Sequence, residues 1–136
     1  MLGLSAGQQL SPTHGPESRG LELVGRRQIQ GVQFGDIWAH GQFAYLGTSS
    51  CGGGVKVFDI SNPARPQLAA TLVTSPLDTY EDVVVIRADT PFFHGDLLAT
   101  GLQGCGSSGA NQVQFWDVFD PRQPALLGSF STGVGT

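Results

Sequence analysis

Charge is scarce in this chain. Asp, Glu, Lys and Arg together make up 13% of it, too few for a helical bundle, whose exposed faces need Lys and Glu. Basic clusters are missing too, since Lys and Arg never gather beyond Arg26-Arg27 and the net charge is −4. A nucleic-acid partner is therefore not expected. No window approaches the ~20 apolar residues of a membrane helix, so the chain is not expected to span a membrane. The opening stretch, MLGLSAGQQL, lacks a basic n-region and a long apolar h-region, and no signal peptide is expected in it. The two cysteines are too few for a disulfide scaffold and form no CxxC, which leaves the redox compartment open.

Glycine, by contrast, is abundant, with 20 residues. Many glycines and few charges suit short strands joined by tight turns. Residues 1–20 show no apolar periodicity and are expected to be a flexible leader. From Leu21 onward, residues 21–136 are expected to form a partial β-propeller. Leu21-Glu22-Leu23-Val24 is strand-like, and so is Asp36-Ile37-Trp38-Ala39. His40-Gly41-Gln42 predicts a turn, Phe43 to Thr48 a strand, and Ser49 to Gly54 a loop, because no packed strand tolerates three glycines in a row. Val55 to Ile60 alternates, with Val55 and Val57 inward and Lys56 outward. Ser61 to Pro66 is a turn fixed by two prolines, and Gln67 to Val73 returns as a further strand.

The cycle then repeats. Repeat one spans about 35–74 and repeat two about 81–131. Asp36 pairs with Asp82 at an offset of 46; His40, Gly47 and Cys51 pair with His94, Gly101 and Cys105 at 54; Asp59, Pro63 and Pro66 pair with Asp117, Pro121 and Pro124 at 58. The offset grows at an insertion, Arg87 to Phe93, and again at a longer loop after Cys105. Identity that survives both steps marks an internal repeat. Four short strands per repeat with turns between them is the pattern of a propeller blade. The fold class is therefore all-β, with about two four-stranded blades plus a stray N-terminal strand at Leu21 to Val24. A β-sandwich explains the strands but not the recurring loops. Alternation places Trp38, Phe43, Tyr45, Val55, Val57, Leu68 and Leu72 in the core of copy one. In copy two it places Val83, Val85, Leu98, Val113, Phe115, Leu126 and Phe130 there. Propellers close with four to eight blades, so two blades and a stray strand predict an incomplete unit, completed by further blades of the same protein or by a homo-oligomer.

The stretch Val55 to Pro66, and its second instance Gln114 to Pro124, resembles LVIVD-repeat proteins, whose repeats carry an "LVIVDVS"-like strand and then a Pro-x-x-Pro turn. The resemblance covers about residues 21–131. It implies a β-propeller and a bacterial, often extracytoplasmic, setting, and it brings no assigned activity and no catalytic residues. Trp116-Asp117 also resembles tryptophan–aspartate propeller repeats, but copy one has Phe58-Asp59 and neither copy has the upstream Gly-His.

The candidate sites are read against their plainer explanations. Asp59 and Asp117 end strands just before turns, and capping of turn N–H groups outweighs ion binding. Pro63 and Pro121 preset φ early in the turn, while Pro66 and Pro124 stop the ladder before the outer strand. His40, His94, Cys51 and Cys105 suggest zinc by type. Each His lies about 20 Å of strand from its Cys, however, and His before Gly reads as a turn residue. Cys51 and Cys105 occupy equivalent Gly-flanked loops of neighbouring blades; a disulfide needs Cα atoms about 4.4–6.8 Å apart, and both it and two free thiols are open. Gly52-Gly53-Gly54 and Gly104-Cys105-Gly106 lack the spacing of a phosphate cradle. Asp78, Glu81, Asp82, Asp89 and Asp96 read as a solvated acidic stretch without the Gly bend of a calcium loop. No GxSxG occurs. No catalytic, cofactor or metal residue is assigned. The expectation is a non-catalytic binding or scaffold module for an unknown protein or small-molecule ligand. The alternative is part of a propeller enzyme whose active site needs blades outside this chain.

Overall fold

Nine strands and no helix make up the described part of the chain, residues 20–106 and 111–133 of a computed structural model. The leader expected over 1–20 lies almost entirely outside the described residues. Strands β1 (Phe34–His40), β2 (Phe43–Thr48), β3 (Val55–Asp59) and β4 (Gln67–Leu72) form one antiparallel sheet in chain order. The second sheet holds β6 (Val83–Asp89), β7 (His94–Gly104), β8 (Gln112–Asp117) and β9 (Ala125–Ser131), and the short β5 (Asp78–Thr79) pairs with the end of β7. Each repeat is thus a four-stranded blade, and the two sheets do not close into a ring.

Local chemistry sets these elements. The β1–β2 hairpin has a two-residue turn, Gly41-Gln42, between the paired His40 and Phe43. Gly41 has φ +59°, which a type II′ turn demands at its first central position. After β3 and β8 the same turn is built twice. Asp59 accepts the Ser61 N–H at 2.9 Å and Asp117 accepts the Phe119 N–H at 2.9 Å. Asn62 then accepts the Ala64 N–H and Asp120 the Arg122 N–H, with Pro63 and Pro121 in the next position. A bulge falls between Val57 and Phe58 and again between Phe115 and Trp116, so even the irregularity recurs at an offset of 58.

The core lies between the blades. Blade one contributes Tyr45, Val55, Val57 and Leu72; blade two contributes Val83, Val85, Leu98, Leu102, Trp116 and Val118; Tyr80 sits in the connection. In copy two Val83, Val85 and Leu98 are buried as expected, and the rest of that expectation is corrected. Phe115, Leu126 and Phe130 are exposed, Val113 is half-buried, and Gln114 and Trp116 are buried instead. Stacked blades meet through opposite faces, so repeat-equivalent residues cannot all face one interface. Trp38 and Leu68 of copy one are also exposed: Trp38 on β1 lines an open groove beside blade two, and Leu68 pairs with Phe58 on the blade's other face.

Three further expectations change. Leu21 to Val24 forms no strand, because no described strand lies beside it to complete a ladder. His94 is not a turn residue. The insertion lengthens β6 and β7 into a longer hairpin, the turn moves to 90–93, and His94 pairs with Asp89 at its tip. The acidic stretch is not one solvated loop. Asp78 is buried in β5, Asp89 lies at the hairpin tip, and Asp96 faces Arg87 and His40 at 3.3 Å.

Candidate functional site: stacked and open blade faces

The segment from Leu77 to Asp82 stitches blade two to blade one. Its backbone bonds one side to Thr48 and Gly52 and the other to Gly101 and Cys105. β2 must approach it closely: a Cβ on Gly47 would lie 2.0 Å from the Glu81 carbonyl oxygen. Within this seam the Tyr80 hydroxyl accepts the N–H groups of Thr74 and Ser75 at 2.9 and 3.0 Å. Across it, Gln114 Nε2 donates to Thr74 Oγ1 at 2.7 Å. Tyr45, fully buried in the core between the blades, has its hydroxyl pKa pushed up to about 12, first by burial and then by the charge of Asp96.

The two ends of the seam are closed differently. At one end, the Cys51 and Cys105 sulfurs are bonded, with Cα atoms 6.1 Å apart. At the other end, Arg122 of blade two makes an ion pair with Asp59 of blade one, and its guanidinium lies 5.0 Å from the Phe43 ring centre. Bonds from Ser61, and then Arg122, hold the Asp59 carboxyl below the usual Asp range. Asp59 therefore combines a turn cap with an inter-blade contact. No repeat signal exposes Arg122 in the sequence, because its counterpart in copy one is Ala64. His40 Nε2 sits 3.3 Å from Asp96 Oδ1 at the same end, so the histidines and the bonded cysteines occupy opposite ends.

Each blade also has a face that the other does not cover. On blade two, the pairings Val84↔Ala99, Ala99↔Phe115 and Val113↔Phe130 put these side chains on one surface. Phe115 is 36% and Phe130 67% exposed. Their repeat counterparts in blade one include Tyr45, Val55, Val57 and Leu72, all buried against blade two. Near the inner edge of this surface lies a groove of about 370 Å³ lined by Asp36, Trp38, Asp82, Val84 and Val113.

The outer side of blade one is different. Ala44 and Phe58 face that way but are buried, because residues 25–33 run across them. A Cβ on Gly25 would lie 2.1 Å from the Pro63 carbonyl oxygen, and the Gln33 carbonyl accepts the Ser49 N–H. This segment brings Arg26 and Arg27 beside Arg65, around a recess of about 460 Å³ at the Ala64–Pro66 turn. Leu21, Leu23 and Val24 remain exposed next to it.

The family model described as LVIVD repeat matches residues 33–74, the span of β1 to β4. Neither a curated protein nor a solved structure matches the chain. The matched repeat and the all-strand, unclosed sheets agree with blades of propeller type.

Proposed function

We propose that the chain is a non-catalytic binding or scaffold module that works by blade stacking, and that the open face of blade two seats a further four-stranded blade of the same repeat. One observation carries this. Ala99, Val113, Phe115 and Phe130 are the repeat counterparts of Tyr45, Val55, Val57 and Leu72, which in blade one form the contact with blade two. Repeat proteins draw much of their stability from such neighbour contacts. A contiguous exposed apolar surface marks an interaction site. The Cys51–Cys105 bond favours an oxidising, extracytoplasmic compartment, where disulfides persist.

The test is a three-blade chain in which residues 75–133 are appended a second time after residue 133. Stacking predicts one cooperative unfolding transition at a higher midpoint, with Phe115 protected from hydroxyl-radical oxidation. An appended blade that leaves Phe115 as reactive as in the parent chain overturns the proposal.

A further inference from the structure

The open face of blade two repeats more of the seam than its apolar positions. We infer that Asp117 is a socket for a cation carried by the next blade, an arginine in the turn after that blade's third strand, and that it selects which kind of blade seats there. This rests on the stacking role proposed above and adds what the incoming blade must carry.

The pattern for the contact lies inside the chain. Arg122 extends from the turn after β8 to Asp59 Oδ2 at the end of β3. The other oxygen of Asp59 is already engaged: Oδ1 accepts the Ser61 N–H at 2.9 Å, which fixes the carboxylate and leaves Oδ2 turned to the neighbouring blade. Asp117 is set the same way. It ends β8 as Asp59 ends β3, and it pairs with Leu97 as Asp59 pairs with Phe43. Its Oδ1 accepts the Phe119 N–H at 2.9 Å. Among the described residues no cation reaches its Oδ2. Holding side chains still costs an ion pair part of its gain, and here the carboxylate is held before any partner arrives.

Two further features of the receiving side recur. Gly47 lets the connection between the blades approach β2, since a Cβ there would lie 2.0 Å from the Glu81 carbonyl oxygen. Its counterpart Gly101 faces a groove of about 190 Å³ shared with Val113 and Thr132, where the atom nearest to an added Cβ is Asp82 Oδ2 at 3.5 Å. The space that the connection fills on blade one is thus open on blade two. Thr74, whose Oγ1 accepts Gln114 Nε2 across the seam, has Thr132 as its counterpart, and Thr132 Oγ1 has no partner among the described residues. Carboxylate, clearance and hydroxyl stand where blade one has them, each without the group that fills it there.

The two blades differ in what they would bring to this socket. The turn of blade two carries Arg122, and the same position in blade one is Ala64. A blade with alanine there would cover Asp117 and leave its charge partly desolvated and unpaired, which is costly. The internal contact also places the guanidinium 5.0 Å from the Phe43 ring centre, whereas the counterpart of Phe43 is Leu97. At the new seam the arginine is therefore held by charge without a ring, and the contact is more sensitive to salt.

The three-blade chain described above tests this, with Cys105→Ser in the appended blade and Ala99→Cys in the middle blade. Ala99 lies on the open face, so its substitute is the single free thiol, and its labelling reports opening of the new seam. Labelling slower than in the two-blade chain carrying Ala99→Cys shows that the seam forms. Asp117→Asn in the middle blade keeps the Oδ1 cap and removes the charge; it should speed labelling ~5-fold, and Arg122→Ala in the appended blade should do the same. The two together should be no faster than either alone, because both remove one contact. Arg122→Glu in the appended blade should speed labelling further, and Asp117→Asn should partly reverse that effect. Added salt should speed labelling more in the three-blade chain than in its Arg122→Ala variant, a comparison that decides the matter if Asp117→Asn disturbs the fold. If labelling slows in the three-blade chain but Arg122→Ala leaves it unchanged, or the two substitutions act independently, the inference fails and blade stacking stands. If labelling is as fast as in the two-blade chain, stacking itself is overturned and the socket with it.

Discussion

The covalent tie between Cys51 and Cys105 closes a loop of 54 residues that contains most of the blade seam. Removing it with the double variant Cys51→Ser, Cys105→Ser frees the unfolded chain to expand. The chain-entropy relation puts the denatured-state contribution of a loop this long at about 4 kcal/mol at 25 °C. A domain of this size commonly has about 5–15 kcal/mol in all, so the loss is a large part of the total. Urea unfolding followed by tryptophan fluorescence measures it. Trp116 is buried in the seam and reports its opening, while Trp38 is partly exposed already. The double variant should unfold at a much lower urea concentration, with a somewhat larger m value because its unfolded state exposes more surface. Wild type treated with reductant should match the variant. A shift under about 0.5 kcal/mol would refute the reasoning, and so would two thiols per chain reacting in unreduced native protein.

Other expected outcomes follow from the two faces and the seam. Gly47→Ala should cost about 2–3 kcal/mol, since its methyl group meets the Glu81 carbonyl at 2.0 Å; Gly101→Ala, the repeat counterpart, should cost little, since its methyl lies 3.5 Å from Asp82 Oδ2. Thermal or urea unfolding of the two variants side by side checks the contrast. Val57→Ala should lose about 2 kcal/mol, and Phe115→Ala less than about 1 kcal/mol in dilute solution, although both occupy the same repeat position. Equal costs in the urea midpoint would show that the faces are assigned wrongly. Tyr45 has a folded-state pKa above its unfolded value of 10.0, so its contribution is whole below pH 10 and is lost as pH rises through about 12. Tyr45→Phe should remove this part of the alkaline destabilisation, read as the difference between the two stability–pH curves.

The eight main strands, the turns after β1, β3 and β8 and the repeat were legible in the sequence because they depend on local chemistry, whereas the turn expected at His94 moved to 90–93 with the insertion. Gly41, Pro63 and Asp59 each act within a few residues of themselves. The buried face was legible in β6 and β7, where Val83, Val85 and Leu98 are buried as expected, but not in β8 and β9. Alternation around Gln114-Phe115-Trp116 separates two faces but does not say which one meets a neighbour; that depends on the stacking of blades. The seam was only partly visible for the same reason. Asp59 and Asp117 look alike as turn caps, yet Arg122 reaches one of them only because blade two follows blade one in space. The stray strand was misread because Leu21 to Val24 has strand composition, and composition cannot supply the missing partner.

The seam is held covalently at the Cys51–Cys105 end and by reversible charge and ring contacts at the Arg122–Asp59 and His40–Asp96 end. Mechanically this is a book with a bound spine. Partial unfolding should begin at the ion-paired edge, so amide hydrogen exchange around Tyr45 and Trp116 should precede exchange in the loop that carries Cys51. Salt should loosen only the free edge, and a reductant should cut only the spine. The two treatments should therefore give partially opened forms with different geometries: blades hinged together in salt, and blades joined only by their polypeptide connection and edge contacts after reduction.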